Sequence, residues 1–100
     1  MDARIFRDEP MGLRDLLLEI PLERRFSYDP GQNLFFVNFE RLSIRSARDI
    51  ANLRDTFERA LQPLGTKVYA IVNYAGFSIL PELLDSYTEM VETIVARHYL

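Results

Sequence analysis

Ser78, His98 and the carboxylates Glu82, Asp85, Glu89 and Glu92 are the residues whose types could do chemistry. A serine becomes a nucleophile when a base removes its proton and a tight Gly-x-Ser-x-Gly turn presents it beside oxyanion donors. In "AGFSIL" Gly76 stands two residues before Ser78, but Leu80 occupies the place of the second glycine. The only histidine, His98, follows roughly twenty residues later. Ser78 is therefore expected to be a loop or helix-capping serine. His98 reads as a solvated residue near a helix C-terminus, where a cation suits the macrodipole. A phosphate cradle needs a glycine-rich run ending in Lys-Ser or Lys-Thr; this loop has one glycine and no lysine. The four carboxylates recur at i, i+3, i+7 and i+10, which makes them the solvated side of a helix. No catalytic residue, cofactor site or metal ligand is assigned.

These residues sit in a chain of 100 residues, 48% hydrophobic and 27% charged, a composition that suits one globular domain. Net charge is −3, and no stripe of Lys and Arg marks a nucleic-acid footprint. Eleven of the twelve basic residues are arginine, Lys67 being the exception. The absence of cysteine excludes disulfides and thiolate chemistry. No apolar run approaches the length needed to span a bilayer, about 20 residues. The charged start "MDARIFRDEPMGLRD" lacks the apolar centre of a signal peptide, so a cytoplasmic protein without nucleic-acid or membrane partners is expected.

The positioning elements follow from periodicity. "DEPMGLRDLLLEIPLERR" predicts a short helix with Leu13, Leu16, Leu17 and Ile20 on one face, stopped by Pro21. "RRFSYDPGQNLFFVNFERLSI" predicts a β-hairpin with strands near 24–29 and 33–40. In its Asp29-Pro30-Gly31-Gln32 turn, Gly31 is expected to take the positive φ. "SARDIANLRDTFERALQPLG" predicts a helix capped by Ser46 and Asp49, with Ile50, Leu53, Phe57, Ala60, Leu61 and Leu64 inward and Gly65 as its stop. "KVYAIVNY" is apolar without alternation, as expected of a central strand covered on both faces. Pro81 opens a last helix with Leu83, Leu84, Tyr87, Met90, Val91, Ile94 and Val95 on one side. The expected fold is α/β: a small mixed sheet made of the hairpin and the central strand, covered by two long helices, with a short N-terminal helix. Residues 1–22 form an arm and 23–100 the core of a single domain. A strand–helix–strand connection in one sheet implies a right-handed crossover. Three strands are few for two long helices, and the sequence ends at Leu100 directly after a helix, so a further strand is expected beyond Leu100, outside this sequence.

Six residues are candidates for an interaction surface. Phe35, Val37 and Phe39 share one strand face, which leaves Leu34 and Phe36 on the other, as an apolar interface or as docking ground for the N-terminal helix. Gly76, Phe77, Ser78 and Glu82 form the loop that leads into the last helix. The aromatics Phe35, Phe36, Phe39, Tyr69, Tyr74 and Phe77 lack interleaved basic residues, so core packing explains them better than base stacking.

Two resemblances sharpen the expectation. "KVYAIVNYAGFSILPELLDSY" resembles the strand–loop–helix of the STAS-like domains of anti-sigma-factor antagonists, whose phosphorylatable serine would fall near Pro81-Glu82-Leu83. No Ser or Thr stands there, so the family's switch is not expected; Glu82 occupies the region of the phosphate. Over nearly the whole chain, "MDARIFRDEPMGLRDLLL", "YDPGQNLFFVNFERLSIRSARDI", "LGTKVYAIVNYAGFSILPELLDSYTEMV" and "HYL" resemble the C-terminal extension of some bacterial acyl-CoA:acetate/3-ketoacid CoA-transferases. That resemblance implies a non-catalytic accessory domain, a fragment of a larger CoA-transferase, acting in assembly or regulation. Its catalytic glutamate belongs to upstream domains and matches no residue here. The implied partner is protein, either the transferase domains or a second copy. The alternative is a stand-alone STAS-like regulator that binds a partner protein or a small apolar ligand.

Overall fold

The computed structural model describes residues 20–100; the helix expected before Pro21 lies outside the described residues. The strands are β1 (Phe26–Asp29), β2 (Leu34–Asn38), β3 (Ser43–Ile44), β4 (Tyr69–Asn73) and β5 (Ser78–Ile79), and the helices are α1 (Ala47–Leu61) and α2 (Leu84–His98). Single 3-10 turns lie at Leu22–Arg24, Gln62–Leu64 and Pro81–Leu83. The architecture is the expected mixed α/β one, a small sheet with two long helices.

Local chemistry sets the element boundaries. The Ser46 hydroxyl accepts the Asp49 N–H at 3.2 Å, and Asp49 Oδ2 accepts the Ser46 N–H at 3.1 Å, a reciprocal cap that starts α1. The helix buries Ile50, Leu53, Thr56, Phe57 and Leu61. Gly65, at φ 69°, ends the following turn. In the β1–β2 turn, Asp29 Oδ1 accepts the Gly31 N–H at 2.9 Å and Oδ2 takes the Gln32 side-chain amide at 3.0 Å. The positive φ falls on Asn33 (55°) rather than on Gly31. Asn33 earns that position with its side chain: Oδ1 accepts the Tyr28 hydroxyl at 2.8 Å, and Nδ2 donates to the Lys67 carbonyl at 2.9 Å.

β1 pairs antiparallel with β2, Phe26 opposite Val37, and β2 pairs parallel with β4, Leu34 opposite Tyr69 and Phe36 opposite Ile71. The order β1-β2-β4 makes β2 the central strand and puts β4 at an edge. This corrects the expectation for "KVYAIVNY": Tyr69, Ile71 and Asn73 are exposed, and only Ala70 and Val72 turn inward. Continuous apolar character misled because Ile71 and Tyr69 lie on an uncovered face. β3 and β5, unexpected from the sequence, form a separate two-residue parallel ladder. Beyond α2, Val68 and Tyr99 form a parallel bridge, with the Leu100 N–H on the Val68 carbonyl at 2.8 Å.

Both helices lie on the Phe35/Val37/Phe39 side. The Phe57 ring of α1 meets Phe26 at 4.9 Å and Phe39 at 6.0 Å, and the Tyr87 ring of α2 meets Phe77 at 5.5 Å. The inward stripe of α2 is Tyr87, Met90 and Ile94; Leu84 and Val95, expected on the same side, are exposed. Tyr87 is 7% exposed, and among the described residues its hydroxyl has no hydrogen-bond partner. Burial pushes its pKa up, and the nearby Tyr74 hydroxyl adds to the effect without forming a bond of good geometry. Burial also pushes Tyr99 up, to about 12.

Three measurements check this framework. Ser46→Ala removes the side-chain acceptor of the cap and lowers the unfolding free energy by about 1 kcal/mol in urea titrations. A phenol whose pKa is raised by folding stabilises the native state below its unfolded value, about 10, and loses that contribution as pH climbs towards the folded value. Unfolding midpoints therefore fall between about pH 10 and 12, and Tyr99→Phe flattens that fall. The Tyr69 N–H donates to the Asn33 carbonyl, and the Phe39 N–H to the Asn73 carbonyl, so odd-numbered residues of β4 bond towards β2. Hydrogen exchange should accordingly alternate along the strand, slow at Ile71 and fast at Ala70 and Val72.

Candidate interaction surface

The side of the sheet away from the helices is open among the described residues. Because side chains alternate along a strand, Leu34, Phe36 and Asn38 of β2 share this face with Tyr69, Ile71 and Asn73 of β4. Phe36 is 37% exposed, Ile71 51% and Tyr69 58%. Register places Phe36 directly beside Ile71, and Leu34 beside Tyr69, so the four side chains form one apolar block across two strands. Ser27 of β1 sits on the other side of Phe36. A hollow of about 320 Å³ runs alongside, lined by Phe36, Ile71, Ser27, Arg24 and Asn73 among others. The open face thus has an apolar centre with Asn38, Asn73 and Arg24 as a polar margin.

The structure brings Leu34 and Phe36 together here and leaves the other four candidates elsewhere. Gly76 adopts φ 70° in a turn closed by the Phe77 N–H on the Tyr74 carbonyl at 3.0 Å. A Cβ there would stand 3.4 Å from Arg41 Cγ. Phe77 is half-buried, stacked on Phe39 with ring centres 5.8 Å apart. Ser78 is neither a loop nor a capping residue: it lies in β5, its hydroxyl 3.2 Å from that of Ser43. Glu82 is exposed in the 3-10 turn that leads into α2. Tyr69 and Ile71 belong to the surface but escaped sequence reasoning, because a run covered on both faces looks the same in composition as one with an apolar open face.

His98 also differs from expectation. It is largely buried, with Nε2 2.9 Å from Glu58 Oε1, while Arg97 Nη1 reaches the other carboxylate oxygen at 2.8 Å. One glutamate on α1 thus ties down the end of α2 through two neighbouring residues. The contact joins the helices and meets no serine: Ser78 has its hydroxyl on Ser43 instead. Glu82, Asp85, Glu89 and Glu92 are all exposed, the solvated side that their spacing predicted. Among the described residues no group of three or more His, Asp or Glu side chains could hold a metal ion.

Arg25 was not singled out from the sequence. It is 4% exposed, and it donates from Nε to the Ile20 carbonyl at 3.2 Å and from Nη1 to the carbonyls of Asn38 (2.9 Å) and Glu40 (3.0 Å). Burial lowers its pKa, and the charge of Glu40 pulls it partly back. The residue fastens the chain before β1 to the end of β2, at the rim of the open face.

None of the described helices is long and apolar enough to cross a membrane. No protein-family model, curated protein or solved structure matches this chain.

Proposed function

We propose that this chain is a non-catalytic interaction domain that docks another protein on the open face of its sheet. The observation that carries this reading is the exposed Phe36–Ile71 pair with its neighbours Leu34 and Tyr69, all on the face opposite both helices. Burying such a block stabilises an association by roughly 25 cal/mol per Å² of apolar surface. The resemblance to the C-terminal extension of acyl-CoA:acetate/3-ketoacid CoA-transferases supplies the candidate partner, the transferase domains of such a protein. On that reading the domain serves assembly or regulation, and the chemistry resides in its partner. A stand-alone STAS-like regulator would use the same face for a different protein.

A photo-crosslinking amino acid at position 71 tests the reading in cells. It should give one discrete protein adduct, and the same group at the exposed Arg59 of α1 should give none. Phe36→Asp should abolish the adduct while the purified domain keeps its circular dichroism spectrum. Absence of an adduct from position 71, or an adduct that survives Phe36→Asp, would sink the assignment to this face. Transfer of CoA from acetyl-CoA to a carboxylate by the purified chain would refute the non-catalytic part.

A further inference from the structure

A second surface has a different chemistry. A cleft of about 870 Å³ lies between the turn at residues 20–25, the segment 41–45 and the first turns of α1. Three arginines line it, Arg25, Arg41 and Arg45. Their positions follow from the fold. In β3, Ile44 turns into the core and Ser43 to the outer side, with Arg45 following it at the exposed end; Arg41, at φ 59° in the turn before β3, reaches the cleft from that turn. Arg25 is held at the inner end by the three carbonyls already described.

The charge of this cleft is poorly balanced. Among the described residues no carboxylate comes within ion-pair distance of any of the three guanidinium groups. The acids nearby are Glu40, which acts on Arg25 only through space, and Asp49, which also lines the cleft. Asp49 Oδ2 is already engaged by the backbone N–H groups of Arg45, at 2.8 Å, and Ser46. Taking a guanidinium out of water is costly; carbonyls and the field of Glu40 offset part of that cost for Arg25, and among the described residues no carboxylate contacts it, so a positive field remains at the inner end of the cleft. Polar groups are also pre-arranged on the wall. Arg45 Nε donates to the Ser43 hydroxyl at 3.1 Å, and that oxygen is held from outside the cleft by the Ser78 hydroxyl at 3.2 Å. Beside these stand the half-buried apolar side chains of Leu22 and Leu42.

We propose that this cleft binds a small molecule with an oxyanion headgroup, phosphate or carboxylate, on a short apolar body. Arg41 and Arg45 take the headgroup by charge-assisted hydrogen bonds, which suit planar guanidinium forks. Arg25 adds a fixed positive field from within, and the apolar wall takes the body. The volume falls in the range of small-molecule sites, about 300–1,000 Å³. Of the residues named for this site only Arg25 also borders the open sheet face, and the test below varies Arg41 and Arg45, so failure of one proposal leaves the other untouched.

Titration of the full chain, followed by amide chemical shifts, tests the proposal with hexyl phosphate, hexanoate, inorganic phosphate and hexanol as probes. Hexyl phosphate or hexanoate should give saturable shifts at Ser43, Arg45 and Leu53, and the tighter of the two identifies the headgroup. Inorganic phosphate should bind more weakly than hexyl phosphate, and hexanol not at all. An Arg41→Gln/Arg45→Gln double variant should weaken binding about tenfold or more, because both charge-assisted contacts go while the buried Arg25 stays. Arg48→Gln, which removes an exposed arginine outside the cleft, should leave affinity unchanged. No saturable shift by about 10 mM of either hexyl compound, or equal binding to the double variant, would overturn the proposal. Hexanol binding as tight as hexyl phosphate, or phosphate alone binding as tightly, would overturn the paired headgroup-and-body chemistry.

Discussion

The rest of the molecule depends on the pairing of β2 along both of its edges. β1 joins it antiparallel through a short turn, and β4 joins it parallel only after the chain has passed through α1. That one strand supplies Phe35 and Val37 to the core, and Phe39 follows directly, all three almost wholly buried. Because the pleat has a period of two, fixing these three inward fixes Leu34 and Phe36 outward. The apolar character of the open face is thus inseparable from the formation of the core. A polar residue at Phe36 would cost the core nothing directly, since that side chain contributes to the opposite side.

Much of this was legible in the residues. α1 could be read in full because its signals are local: a capping pair three residues apart, a stripe at helical spacing and a glycine stop. The hairpin was legible for the same reason, although the left-handed residue is Asn33, whose side chain reaches Tyr28 and, across the chain, Lys67. A partner thirty-four residues away leaves no local trace. The edge position of β4 and the existence of β3 and β5 were hidden likewise, since a two-residue ladder has no periodicity to detect. Of the six candidate surface residues, Leu34 and Phe36 rested on strand alternation and lie where alternation puts them. Gly76, Phe77, Ser78 and Glu82 rested on sequence adjacency, and the turn at Tyr74–Phe77 sends their side chains in different directions.

The helix layer is joined by means different from those of the sheet. Leu53, Phe57, Tyr87 and Ile94 fill the space beneath it, while Glu58 links the two helices by holding Arg97 and His98 at once. At the opposite end of the molecule Arg25 joins chain segments through carbonyls alone. Each charged side chain in these two places is a fastener between elements distant in sequence; Arg25 is buried and Glu58 and His98 largely so, while Arg97 reaches its partner from the exposed side.

The ladder of β3 and β5 has a consequence for motion. It joins Ser43 to Ser78, and Ile44 to Ile79, across a gap of thirty-five residues, and it consists of two rungs. The β2–β4 pairing and the Phe39 and Arg41 N–H bonds to the Asn73 and Ala75 carbonyls have already closed that loop, so the two rungs rest on a short extension, the kind of segment that opens locally without global unfolding. The Phe39, Ile44 and Leu53 side chains anchor the segment from beneath, but the Ser78 and Leu80 N–H bonds to Leu42 and Ile44 can break without disturbing β1, β2 or β4. Ser43 and Ile44 also line the arginine-lined cleft, so local opening of these two rungs would widen that cleft while the three-stranded sheet stays paired.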